Sequence, residues 1–132
     1  MGRVLIKADS RFPVNRKRLR QLIKNILAVH SLTEKVEISL LVVGDRKMKS
    51  LNQRYRKKNK AVSVLSFPLE KADSNSSLGF AEAPDGILRL GDIVISYPQA
   101  LKAAIRKKIL IDEEIDSLVK HGMRQLLDLN YQ

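Results

Sequence analysis

The chain has 132 residues, 44% of them hydrophobic, with 25 Lys and Arg against 14 Asp and Glu and a formal net charge of +11 at pH 7. That length and apolar content suit a single domain over residues 1–132 and argue against a disordered tail. Without a cysteine there is no disulfide partner and no thiolate zinc site, no apolar run reaches the roughly 18–20 residues that span a bilayer, and the N-terminus carries no signal-peptide core. The expectation is a cytoplasmic protein with no membrane partner. So large a basic excess favours a polyanion such as nucleic acid, although three Tyr, three Phe and no Trp are few for a base-stacking platform.

The short run Val4-Leu5-Ile6 suits an opening strand. Pro13 leads into apolar positions Leu19, Leu22, Ile23, Ile26 and Leu27, the spacing of an amphipathic helix, with Arg16, Lys17, Arg18, Arg20 and Lys24 largely on its polar side. Glu37 to Val43 is β-rich and ends apolar, as a buried strand does. Gly44-Asp45 turns the chain, and Asp45 is placed to cap a second helix through Met48, Leu51 and Tyr55. Val62 to Leu69 alternates like a strand, with Pro68 putting its end at a sheet edge. Residues 71–86, rich in Ser, Asn, Asp, Gly and Pro, read as a surface loop.

Beyond that loop, Gly91-Asp92 is expected to open a buried strand, Ile93-Val94-Ile95-Ser96. A helical region follows from Pro98 and restarts at Ile111, where Asp112, Glu113 and Glu114 complement the dipole of the last helix. Ile115, Leu118, Val119, Gly122, Leu126 and Leu127 form its inward stripe. The order β-α-β-α-β-β-α-α predicts an α+β fold, a mixed α/β layer in which about four helices cover a four-stranded mixed sheet. No repeat, GxSxG elbow or phosphate-binding Gly-rich loop is present.

The charge is unevenly spread. Through Lys60 there are 17 Lys or Arg against Asp9, Glu34, Glu37 and Asp45; beyond it there are 8 basic and 10 acidic residues. The excess marks one anion-binding face. Its densest part is the run Arg54-Tyr55-Arg56-Lys57-Lys58-Asn59-Lys60. Counterion release by such a run gives RNA affinity that falls steeply with salt and carries no sequence information.

Three segments resemble the YbeY family of bacterial rRNA maturation factors. Leu51 to Lys60, running into Val64-Leu65-Ser66-Phe67-Pro68, is similar to the family's helix end and VLSFP strand. Leu90-Gly91-Asp92-Ile93-Val94-Ile95-Ser96 is similar to its LGDIVIS strand, and His121-Gly122 stands where the family's histidine motif begins. The resemblance implies a YbeY-like fold, single-strand endoribonuclease chemistry, rRNA and the small ribosomal subunit as partners, and a three-histidine Zn²⁺ site. It assigns metal-ligand positions to His121, Gln125 and Tyr131 and a catalytic role on phosphate to Arg56. The charge of the run itself makes Arg54, Arg56, Lys57, Lys58 and Lys60 interchangeable RNA phosphate contacts, the other reading of Arg56, and Arg124 adds another cation.

Only His121 of the three ligand positions is a histidine. Gln125 offers an amide oxygen, and Tyr131 must lose a proton with a pKa of about 10 before it ligates well. Asp128 stands where the family has the glycine that lets its chain leave the helix. Arg124, three residues beyond His121, shares its helix face and opposes a dication. Val62-Ser63 also replaces the family's Thr-Asp beside the cleft. His30 reads as a surface residue, and His121-Gly122 as a place where glycine lets the helix approach the sheet. The expectation is therefore an rRNA-binding maturation factor with a weak or absent zinc site and impaired or lost nuclease activity. The alternatives are an active metal-dependent endoribonuclease and, more remotely, a protein-interaction module.

Overall fold

The computed structural model describes residues 3–30, 35–68 and 87–130. The elements follow the order β1 (Arg3–Ala8), α1 (Arg16–Val29), β2 (Val36–Val43), α2 (Asp45–Arg56), β3 (Val64–Pro68), β4 (Leu88–Ser96), α3 (Tyr97–Lys107) and α4 (Ile111–Asn130). The four strands form one sheet in the order β1-β2-β4-β3. β1, β2 and β4 run parallel, and β3 joins β4 antiparallel as an edge. The mixed sheet and four helices are those the element order predicts, and Pro68 does end an edge strand.

Each sheet face buries a different set of residues. Val4, Ile6, Ile38, Leu40, Ile93 and Ile95 pack with Leu19, Ile23 and Leu27 of α1 and with Ile115, Val119, Met123 and Leu126 of α4. On the other side a smaller cluster joins Met48 of α2 to Leu65 and Val94, with Leu41, Val43, Leu51 and Phe67 against it. Among the described residues one helix therefore covers that second face, where α1 and α4 share the first.

α1 is also pinned to β1 by two of its arginines. Arg16 donates to the Ile6 carbonyl at 2.6 Å and Arg20 to that of Val4 at 3.4 Å. Part of this basic cluster serves the fold. Asn15 caps α1 by accepting from the Arg18 amide at 3.0 Å.

Two local expectations give way. β4 does not open at Ile93 after a turn; it begins at Leu88 and passes through Gly91 and Asp92. Glu37 pairs with Arg89 and Ile38 with Gly91, so Leu90 is an extra residue, a β-bulge. Gly91 takes φ 135°, a conformation L side chains rarely adopt. The bulge shifts the alternation, so Leu90, Ile93 and Ile95 all reach the larger core. Asp45 does not cap α2 either: Gly44 occupies that position. The Asp45 carboxylate instead accepts from Ser96 Oγ at 2.8 Å and Gln99 Nε2 at 3.1 Å, joining α2 to the start of α3, which Ser96 caps. The loop read over 71–86 lies outside the described residues.

Gly122 meets the sheet as its sequence position suggests. A Cβ built there would stand 2.8 Å from Ile93 Cγ2 and 3.1 Å from its Cγ1 and Cδ1. Gly122→Ala is expected to cost about 1–3 kcal/mol in denaturant unfolding, the usual range for overpacking. Against an Ile93→Ala background the same substitution should cost less, because the added methyl then enters vacated space.

Candidate nucleic-acid interface

The basic run leaves the last turn of α2, and local bonds fix its path. Lys57 ends the helix in the left-handed region at φ 59°. Its amide bonds the Gln53 carbonyl at 3.1 Å, and the Lys58 amide bonds that of Asn52 at 3.3 Å. The Asn52 side chain, only 2% exposed, donates to the Lys60 carbonyl at 2.9 Å. One buried amide thus holds the basic turn against the helix that precedes it. Asn52 carries no charge and no catalytic chemistry, so nothing in its residue type marked it in the sequence.

Arg54, Arg56, Lys57, Lys58 and Lys60 are all exposed. Arg54 lies over the Tyr55 ring, 5.5 Å from its centroid, and Arg56 donates to the Ser66 carbonyl at 3.1 Å. None of the five pairs with a carboxylate among the described residues. Elsewhere Arg3 and Arg89 flank Glu37, Arg11 meets Asp9, Arg18 meets Asp116 and Lys107 meets Glu114. The run is a concentration of uncompensated charge, the form that attracts phosphates.

Ser66 links the run to the last helix. Its hydroxyl, on a residue 1% exposed, donates to the Gly122 carbonyl of α4 at 3.3 Å, while its own carbonyl takes Arg56. Arg56 and the His121-Gly122 step are in this way held to one residue of the edge strand. His121, Arg124, Gln125 and Asp128 are exposed positions of the same helix; Tyr131 lies outside the described residues. Among the described residues no group of three or more His, Cys, Asp or Glu is placed to hold a metal ion. A donor set of one imidazole, one amide and one phenol, with Arg124 one turn away, does not fit a three-imidazole zinc centre. His30 sits exposed at the C-terminus of α1, its Nδ1 3.0 Å from the Ile26 carbonyl, apart from this helix.

Between α2 and the sheet lies a cleft of about 610 Å³ lined by Leu41, Lys47, Leu51, Tyr55, Arg56, Ser66, Phe67, Pro68, Asp92 and Val94. Tyr55, 56% exposed, meets Phe67 edge-on at 5.1 Å. A low aromatic total gave no hint that two rings converge here. Asp92 also went unmarked. The bulge aims it at this face, where it lines the cleft and a smaller adjoining recess. Desolvation by these walls raises its carboxyl pKa above the ordinary carboxylate value, opposed by a hydrogen bond with Ser39.

Comparison with known proteins bears on the family and the fold. The family model described as Endoribonuclease YbeY matches residues 5–130. The chain is 34% identical over 119 residues to Endoribonuclease YbeY of Syntrophus aciditrophicus (strain SB), covering 90% of this chain and 69% of that one. It is 32% identical over 131 residues to Endoribonuclease YbeY of Aquifex aeolicus (strain VF5), covering 99% and 79%. Among solved structures, the solution structure of TM1509 from Thermotoga maritima shares the fold, with a TM-score of 0.62 at 19% identity over 98% of this chain and 75% of that one. No helix among the described residues is long and apolar enough to cross a membrane.

Asp92 is an exposed residue, so solvent screens most of its desolvation penalty, and the raised pKa gives the sign of a small stability effect. Its charged form is less favoured in the folded chain than in the unfolded one. Folding is therefore penalised as pH rises through the ordinary carboxylate range to the raised native value, and the penalty persists above it. Asp92→Asn is expected to raise the denaturant midpoint at pH 7 and to match the parent near pH 3; an equal gain at both would assign the effect to packing.

Proposed function

The chain belongs to the endoribonuclease YbeY family, and from that premise we propose that it is an rRNA maturation factor of the cytoplasm that grips single-stranded rRNA, on or near the small ribosomal subunit. The grip lies between the Arg54–Lys60 run and the exposed face of α4, and metal-dependent cutting is impaired. One observation carries this reading: a run of five exposed cations, without carboxylate partners among the described residues, reaches through Arg56 into the wall of a cleft that also holds an exposed aromatic ring. The cations meet phosphates, while Tyr55, already seated edge-on against Phe67, offers a base one face to stack on. Arg56 is positioned at the cleft wall by the Ser66 carbonyl, with guanidinium donors left for a bidentate phosphate contact.

Impairment follows from the donor set. One histidine stands where a zinc hydrolase needs three ligands and an open position for water. Arg124 replaces part of the positive charge that such an ion would bring to the same helix face. Arg56 then serves binding more than the stabilisation of a reacting phosphate.

The test is an end-labelled single-stranded RNA offered to the protein with Zn²⁺, with chelator and with neither, beside Arg56→Ala. The expected outcome is binding without appreciable cutting in all three conditions. The log–log salt slope of that binding should approach about −3.5 if all five cations engage phosphates, at about 0.7 per contact on a single strand. Cutting that requires metal and disappears in Arg56→Ala would establish instead an active endoribonuclease with a rebuilt site. Arg124→Glu is expected to weaken RNA binding more than Lys102→Glu on α3; equal losses would remove Arg124 from the interface.

A further inference from the structure

The cleft at Arg56 does not end at α2. A second cavity of about 690 Å³ lies beneath the start of the same helix, toward β1, and both cavities are lined by Leu41 and Lys47. The two cavities therefore adjoin at Leu41 and Lys47, the first toward β3 and the second toward β1, on the face that α2 alone covers among the described residues. Leu41 and Val43 contribute apolar surface in the second cavity, and Lys7, Arg46 and Lys47 contribute charge. All three cations are exposed and have no carboxylate partner among the described residues.

The acid in this cavity is already neutralised. Asp9 takes Arg11 in a fork, Nε to Oδ1 at 3.0 Å and Nη2 to Oδ2 at 2.9 Å, and also accepts the Arg11 amide at 2.9 Å. Those bonds hold its carboxyl down to about 2, so it remains an ionised partner of Arg11 across the neutral range. Lys7, Arg46 and Lys47 are left as the uncompensated charge. Cations distributed along adjoining apolar cavities suit a strand with a phosphate at every step and a base beside it better than a small anion, which would need donors converging on one point.

We infer that the RNA strand continues from the Arg56 cleft past Lys47 into this second cavity, with Lys7 and Arg46 binding its backbone phosphates. The extension rests on the RNA-binding reading and adds to it a longer track with a defined direction across the sheet. None of these three residues belongs to the three segments on which the family resemblance stands.

The experiment titrates a single-stranded RNA of about twelve nucleotides at several salt concentrations. It compares the full chain with a Lys7→Gln/Arg46→Gln variant and with Lys102→Gln/Arg106→Gln, which removes the same charge from α3 residues that line neither cavity. The first variant is expected to bind about tenfold more weakly at low salt, with a salt slope shallower by about 1.4, two contacts at about 0.7 each. The α3 variant should change the slope by much less. Equal changes in both, or none in the first, would overturn the extended track while leaving the Arg56 cleft in place. If the unsubstituted chain binds no RNA at low salt, the RNA reading falls and the track with it. Lys7 and Arg46 are exposed and make no side-chain bond among the described residues, so unchanged unfolding midpoints should accompany the expected result.

Discussion

Ser66 joins the end of α2 to the backbone of α4, the two elements of the proposed interface. Its hydroxyl reaches the Gly122 carbonyl only because α4 lies close enough to the sheet, and α4 lies that close because residue 122 has no side chain to meet Ile93. The Ser66 carbonyl, on the edge strand, holds Arg56. The backbone of α4 and the end of α2 thus take their relative positions from one residue that is itself 1% exposed. Moving α4 outward by the width of a methyl group would alter the spacing between the basic run and the face that carries His121 and Arg124.

The uneven cover of the sheet is the second constraint. With α1 and α4 on one face and, among the described residues, α2 alone on the other, polar and half-buried residues remain on the second face as the walls of two adjoining cavities. The β4 bulge adds to this by switching the strand's alternation, which directs Asp92 toward the cleft at Arg56 while Leu90, Ile93 and Ile95 stay in the core. A regular strand through the same residues would have buried one of these groups on the wrong side.

Charge is sorted by the same architecture. Arginines near α1 and β1 are bound to backbone carbonyls or carboxylates, where they support the packing of helix on sheet. At the end of α2, Arg54 and Arg56 meet no carboxylate among the described residues, and Arg56 bonds only the Ser66 carbonyl, so their charge stays available. The net charge of +11 alone does not make this distinction; the positions of the acids do, and they are set by the fold. At the histidine position the sorting puts exposed Arg124 one helical turn from exposed His121, where electrostatics favours an anion over a dication.

Hydrophobic spacing and turn residues determined the element order, the mixed sheet, the edge position of β3 and the inward stripe of α4, because those depend on local periodicity. The family was legible in VLSFP, LGDIVIS and the His121-Gly122 step, and the close approach at Gly122 was legible because glycine in a packed helix face has few other uses. The bulge at Gly91 was not, since a glycine before an apolar run reads equally as a turn until the pairing partner is known. Asp45 suited a cap by residue type, but its distant partners Ser96 and Gln99 claimed it. Tertiary structure alone decided that Asn52 holds the basic turn, that Tyr55 meets Phe67, that Asp92 faces the cleft and that Lys7 and Lys47 border one cavity. Each of these is a meeting between residues remote in sequence or a burial of a polar group, and periodicity along the chain records neither.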